Sequence, residues 1–520
     1  MMKNIFLILF VLFGFAASAQ SYVTANASGG DGTLGSPWTL TEAVANATGG
    51  IVHVLAGDYG NLNLTQTNNG SSSSPIIFRS YTSSINDIQV TTGSSFNKNS
   101  SINSSFSAII EASNTDNWII RIEGDYVTFE NFQFSGTNFG VYVTGDNSGL
   151  KNSLIREIGD LSGTAYSGFG LRLSADSSFS LNNVVMNVGA EAISIRDSGD
   201  NAIVRYNTVA SDNTTNATDY YYIASGVDNV MIENNIVDRA SGIPHQGHGI
   251  HLKFVTTNCT VRNNTLIGTF LEASFGANNN LFEGNTVDLH FIDFGNTLDD
   301  NFGIRIGKNA NNNIFRNTFI KDAWVAIAFS SFEENTGDPN NAGIDNEFEN
   351  TVIHTCRHAV GGDEFQDNGH AAARNIFRGM TVQSLTEEFI RARRPLTDFE
   401  FYNVIIDDVD GLFDNSGNGS LSASTIFSHI NVSDGTLDDT SFDSYDETNI
   451  TELTPVFVDE SAEDFRIDNT DLNIGVATTN TTDFLGTTRP SSGITLGAYQ
   501  FGSTSTTTGY FSSILNFFVE

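Results

Sequence analysis

Short runs of alternating polarity recur along the middle of this sequence and limit what it can fold into. Three neighbouring runs read G-I-H-L-K (249–253), F-L-E-A-S (270–274) and G-I-R-I-G (303–307). Each is followed by an asparagine-rich turn: Asn263-Asn264, Asn278-Asn279-Asn280 and Asn311-Asn312-Asn313. Period two sends alternate side chains to opposite faces of a strand. Ile250/Leu252, Leu271/Ala273 and Ile304/Ile306 therefore point inward. His251/Lys253, Glu272/Ser274 and Arg305 point outward, stacked rung upon rung. Similar runs occur at 119–123, 140–144, 170–174, 192–196, 222–226, 326–330 and 389–393. Their irregular spacing, roughly 20 to 33 residues, is that of a solenoid with loop insertions. The expected fold class is all-β, a coil of short parallel strands.

A second column supports this register. One position before the turn in successive coils reads Arg205, Glu233, Arg262, Glu283, Arg316, Glu349, Arg378. Neighbours about 4.8 Å apart along a sheet face form a ladder of ion pairs when signs alternate, and repel when they do not. This column is structural and removes four arginines from the candidates for substrate contact.

The termini read differently. Lys3, an apolar run over 5–15 and Ala17-Ser18-Ala19 form the pattern of a signal peptide over 1–19, with Gln20 first after cleavage. The run is too short to span a bilayer, so a secreted protein with no membrane span is expected. Residues 20–60 form a cap and first coil: 38–47 has Leu40, Val44 and Ala47 on one helical face, and 51–54 is a first strand. A helix there shields the open edge of the coil. The β-helix body is placed at 61–410 and an acidic closing segment at 411–520. Cys259 and Cys356 fall about four rungs apart, roughly 19 Å, beyond disulfide reach. Both are expected as buried free thiols.

The start, V-H-V-L-A-G-D-Y-G-N-L (52–62) with S-P-I-I-F-R-S-Y (74–81), and the end, over 454–468 and 483–501, complete the pattern. Together with the rungs between, they resemble exported proteins of the pectate-lyase-like superfamily. That resemblance implies a right-handed parallel β-helix with an N-terminal helical cap. It also implies an enzyme that cuts polysaccharides in a groove along one face; no single family's motif set is matched.

Charge points the same way. The net charge is −36, with 60 Asp+Glu against 24 Lys+Arg, which excludes a nucleic-acid partner. Yet 18 of those 24 cations lie between Lys151 and Arg394. With the ladder set aside, Arg172, Arg196, Lys253, Arg305, Arg391 and Arg393 fall on the outward column, with Lys308 and Arg394 beside it. An anionic polysaccharide lying along the coil accounts for such a stripe, because Arg forks match sulfate and carboxylate. Glu272 is the acid at the centre of the stripe, between His251 and Arg305.

Two chemistries follow. In a hydrolase, Glu272 protonates the leaving oxygen and His251 is the base or a positioning donor. A second carboxylate is then needed about 5 Å away for retention, or about 6.5–9.5 Å for inversion. Asp293, Asp299 and Asp300 are loop candidates for it. In a lyase, Lys253, His251 or Arg305 takes the proton beside a uronate carboxylate, with Ca²⁺ as a possible neutraliser. G-H-G at 247–249 resembles polygalacturonase-like hydrolases, but N-T-D occurs only at 114–116 and 469–471, far from it, and their paired Asp on the preceding rung is missing. Chondroitinase-B-type and alginate-lyase-type enzymes place a Lys five residues after their Glu and an R-H-G strand on a following rung. Here the fifth residue after Glu272 is Ala277, and no R-H-G occurs. The reading taken is an endo-acting hydrolase of a sulfated polymer, needing no cofactor or metal and acting as a monomer, with His248 also lining the groove. The alternatives are a uronate lyase and a non-catalytic glycan-binding coil.

Overall fold

The computed structural model describes residues 20–81, 96–105, 107–111, 117–137, 139–159, 167–212, 220–239, 247–290, 302–330, 342–362, 372–393, 395–414, 420–433 and 446–503. The expected signal peptide lies outside them. Each coil contributes three strands. His248–Lys253, Thr260–Arg262 and Thr265–Ile267 make one coil, and Phe270–Ala273 opens the next. Every strand of such a coil pairs in parallel with its counterpart one coil on. The result is a right-handed parallel β-helix with three faces, called here the site, ladder and third sheets.

The asparagine-rich turns explain the corners. Asn234, Asn263, Asn317 and Asn350 take left-handed backbone angles between the ladder and third sheets, and Gly284 does the same at the equivalent place. Asparagine tolerates that conformation better than most residues. The residue that follows turns inward. The backbone N–H of Asn207 donates to Asn235 Oδ1 on the next coil, Asn235 to Asn264, and Asn264 to Asn285, at 2.9–3.0 Å. A second ladder at the corner before the ladder sheet runs Asn280, Asn313, Asn346, Asn375. These amides are almost wholly buried. They satisfy corner N–H groups that would otherwise be sealed from water without a partner.

Inside, identical positions stack on identical positions. Phe282, Phe315, Phe348, Phe377, Phe401 and Phe427 form one column, with successive ring centroids 4.4–5.0 Å apart. Outside, the charge ladder has the register read from the sequence. Glu233 pairs with both Arg205 and Arg262, and Arg316 Nε lies 2.7 Å from Glu349. The column starts earlier than the sequence suggested, with Arg79, Glu130 and Lys151, and Leu181 interrupts it. At its far end Arg378 turns to Glu347 instead of Glu349.

The N-terminal helix spans Leu40–Asn46 and buries Leu40, Ala43 and Val44. Thr39 and Glu42 close its first turn as a capping box, each side chain accepting from the other's backbone N–H. Cys259 and Cys356 are free and buried.

The C-terminal boundary differs from the expectation. Parallel pairing continues past 410 through Glu400–Asp414, Ile426–Ser433 and Asp446–Thr451. The segment after it folds back along the third sheet. Phe465, Ala498 and Tyr499 cover Phe319 and Val352, and Ile467, Leu472 and Leu496 cover Ile405. Those outward apolar residues are the physical reason: a bare third sheet would leave them in water. Arg489 fastens the return by donating to the carbonyls of Thr495 and Gly497 and to Asn350 Oδ1.

Truncating one ring of the stack should be felt along the column. Phe348→Ala is expected to lower stability by about 3–5 kcal/mol, and Phe348→Leu by much less. Denaturant unfolding of both variants checks this.

Candidate active site

The runs on the site sheet share a form that the alternation alone did not reveal: an outward residue, a spacer that is small except at Tyr221, then inward, outward, inward. Phe139, Phe169, Glu191, Tyr220, His248, Phe302 and His358 occupy the first place. Residues three apart thereby share the outer face. His248 and His251 do so, and the register shifts between His248 and Ile250 because the next strand has no residue opposite Gly249. A Cβ on Gly249 would sit 2.6 Å from Leu266 Cδ2 and 2.7 Å from the Phe270 carbonyl, so a larger residue does not fit.

This brings the central candidates together. His251 pairs with Glu272, and Glu272 with Arg305, on consecutive rungs. The outward column is not exposed, however. His251 and Glu272 are 1% accessible and Arg305 2%. The groups at the groove surface lie over them: Tyr220, His248 and Lys253 are each partly exposed. The Tyr220 ring stacks on His248 at 4.7 Å, and His248 on His251 at 4.8 Å. Lys253 Nζ donates to the Tyr220 hydroxyl at 3.4 Å. Tyr220 was missed in the sequence because it precedes the run read there.

Glu272 is the hub. Its Oε2 lies 2.5 Å from His248 Nδ1, and its Oε1 lies 3.4 Å from His251 Nε2. His251 Nε2 also meets Ser274 Oγ at 2.6 Å, and Arg305 Nε donates to Ser330 Oγ at 2.8 Å. Burial alone would raise the Glu272 pKa. Electrostatic pairing with His251, His248 and Arg305 and the hydrogen bond from His248 outweigh it and hold the carboxyl well below its usual range. Burial pushes His251 the other way, well below the usual imidazole value, so it is neutral.

These facts correct two expectations. A general acid must carry its proton at working pH, and Glu272 is held as a carboxylate. A base must reach the substrate, and His251 is sealed beneath its neighbours. Both contact His248. An ionised Glu272 accepts from His248 Nδ1–H, which assigns the lone pair to Nε2.

The cationic stripe also changes. Arg172 and Arg196 both converge on Glu191, which is 7% accessible. Arg172 lies over the Phe169 ring at 4.4 Å. Sequence reading missed Glu191 for the same reason as Tyr220. Arg391 and Arg393 lie at least three rungs beyond Arg305, near a separate group. There His358 Nε2 lies 3.0 Å from Glu387, and Arg357 stacks on Trp324 at 3.5 Å. Lys308 stands beside Phe275, 5.2 Å from its ring centroid, at the corner of the central rungs.

Donor atoms of His248, His251 and Glu272 lie within 4.8 Å of one another. Calcium, the ion expected for a lyase, takes about six to eight oxygen ligands. Two imidazole nitrogens and one carboxylate do not fit it.

No protein-family model matches the chain, and comparison with curated proteins found no match. Solved structures resemble it. A mutant of the PL6 family alginate lyase AlyGC has a TM-score of 0.56 and 10% identity, over 94% of this chain and 60% of that one. Alginate lyase AlyF-OU02, in complex with G6, has a TM-score of 0.50 and 12% identity, over 85% and 90%. The catalytic domain of a GH87 alpha-1,3-glucanase with nigerose reaches 0.46 at 9% identity, over 84% and 68%. At this identity the likeness shows the fold. The chain has the right-handed parallel β-helix architecture that the sequence resemblance implied. No helix among the described residues is long and apolar enough to cross a membrane.

Two outcomes test this electrostatic picture. Glu191→Gln should free Arg172 and Arg196, giving later elution from a sulfated-polymer column at low salt and a lower melting temperature. Burial, aided by the charge of Arg391, pushes the His358 imidazole down to about 4 from 6.5. The folded state keeps it neutral while the unfolded chain takes up a proton. Its contribution to stability is therefore whole above about 6.5 and is lost as pH falls toward 4. Stability measured against pH should fall less steeply in that window for His358→Gln.

Proposed function

We propose that this protein is an exported lyase that cuts a uronate-containing polysaccharide by β-elimination. One observation carries the reading: His248 is held at Nδ1 by a buried, ionised Glu272, with Nε2 left basic at the groove surface. His248 Nε2 takes the C5 proton of a uronate residue. The electron pair forms the C4=C5 bond and the C4–O bond to the neighbouring sugar breaks. Tyr220 supplies a proton to the departing oxygen. The Lys253 ammonium, beside the Tyr220 hydroxyl, steadies the resulting phenolate and attracts the uronate carboxylate. The Arg305 charge favours the ionised form of Glu272, and His251 lies against its other oxygen.

Hydrolysis is the weaker reading because, among the described residues of the site sheet, no second carboxylate is within reach. On the site sheet, the described carboxylates nearest Glu272, such as Glu191, lie at least three rungs away, roughly 14 Å. Glycosidase pairs need about 5–9.5 Å. Asp293, Asp299 and Asp300 lie outside the described residues. The structural neighbours named for alginate cleavage agree with a uronate substrate, and the export pattern at 1–19 agrees with a polymer outside the cell.

The test offers purified protein a panel of uronic and sulfated polysaccharides. Reducing ends and the ultraviolet absorbance of the new C=C bond are followed together. Both should rise in step on a uronic polymer. His248→Ala and Glu272→Gln should each lower kcat by about 10²–10⁴-fold with KM little changed. Reducing ends without absorbance would overturn elimination in favour of hydrolysis.

A further inference from the structure

The corner that ends the central strands carries a feature the mechanism does not use. Here the chain passes from the site sheet toward the ladder sheet through left-handed backbone. On two earlier rungs the corner residue is Asp197 (φ 60°) and then Gly226 (φ 66°), residues that accept this conformation. On the next two rungs the same place holds Phe254 (φ 50°) and Phe275 (φ 53°). Val255 follows Phe254 and is also left-handed, at φ 59°. A β-branched residue there is an outlier. Its counterpart one rung on is Gly276, at φ 83°. Among the described residues, Phe254 and Val255 are the only consecutive non-glycine pair with positive φ.

Phe254 and Val255 stay exposed, while Phe275 is partly buried. Phe254 is 46% accessible and Val255 69%. The Phe254 and Phe275 rings lie 5.3 Å apart. Lys253 Nζ lies 4.7 Å from the Phe254 centroid and 4.8 Å from that of Phe275, and Lys308 Nζ lies 5.2 Å from Phe275. Strained backbone that presents exposed aromatic surface between two cations, on a protein of net charge −36, marks a ligand contact and not a packing solution.

We propose that Phe254, Val255 and Phe275, with Lys308, form a sugar-binding subsite beside the reaction centre. It takes a pyranose ring bearing a carboxylate, the next unit along the same anionic chain. The apolar face of the ring lies on the phenylalanines and the carboxylate meets Lys308. Val255 limits how far the ring slides toward the ladder sheet. This assignment rests on the uronate reading for its ligand class and not on the elimination step.

Binding is read without turnover, in a His248→Ala background, by titration calorimetry with a mannuronate hexasaccharide and with neutral cellohexaose. Adding Phe254→Ala or Phe275→Ala should weaken the hexamannuronate at least 10-fold. Adding Lys308→Gln should weaken it several-fold without changing cellohexaose. Val255→Gly separates ligand contact from folding: it should raise the melting temperature, because glycine accepts φ 59°, yet weaken the hexamannuronate. Equal binding by the parent and all four variants overturns the subsite, as does a parent that binds no hexamannuronate. Hexamannuronate binding that follows this pattern, in a protein that forms no C=C product, keeps the subsite and overturns elimination alone.

Discussion

A parallel coil repeats itself about every 4.8 Å, and each corner must hide backbone N–H groups that no strand partner reaches. The asparagine ladders meet that demand. Asn207 to Asn285 and Asn280 to Asn375 pass hydrogen bonds from coil to coil at nearly constant length. Once those corners are set, the register of all three sheets is set with them. The phenylalanine column and the alternating charge ladder both depend on it. A slip of one residue would turn Phe315 outward and Arg316 inward.

The same repeat creates the candidate site. Three ionisable groups, His251, Glu272 and Arg305, sit on consecutive rungs; Tyr220 and His248 lie over the first two and Phe302 beside Arg305. Burial then works on each group according to its neighbours. Burial drives His251 down, whereas for Glu272 the pairing with His251, His248 and Arg305 exceeds the burial penalty. The layer that reaches solvent and the layer that conditions it are therefore different residues, although both lie on one face. At the corner of the same strands the structure tolerates left-handed phenylalanines, where earlier coils used aspartate and glycine.

Resemblance to solved structures reaches the fold and stops there, since identity is near 10%. What distinguishes this chain is carried by particular side chains: the Glu272–His248 contact, the convergence of two arginines on Glu191, and the aromatic corner. None of these follows from the coil, which would accept many other residues at those outward positions.

Much of the architecture was legible because a solenoid writes its contacts as sequence repeats. Period two gave the inward and outward sets, the Asn pairs gave the corners, and alternating Arg and Glu gave the register; local spacing decides all three. The column His251–Glu272–Arg305 followed from the same rule. The roles of its members did not, because depth below the surface depends on what lies over a side chain. Tyr220, His248 and Glu191 come to the outer face through a corner that alternation does not encode. The extension of the coil to Thr451 and the return of residues 452–503 were also decided by tertiary contact. Phe319, Val352 and Ile405 face outward from the third sheet, and only the folded coil shows that they need a cover.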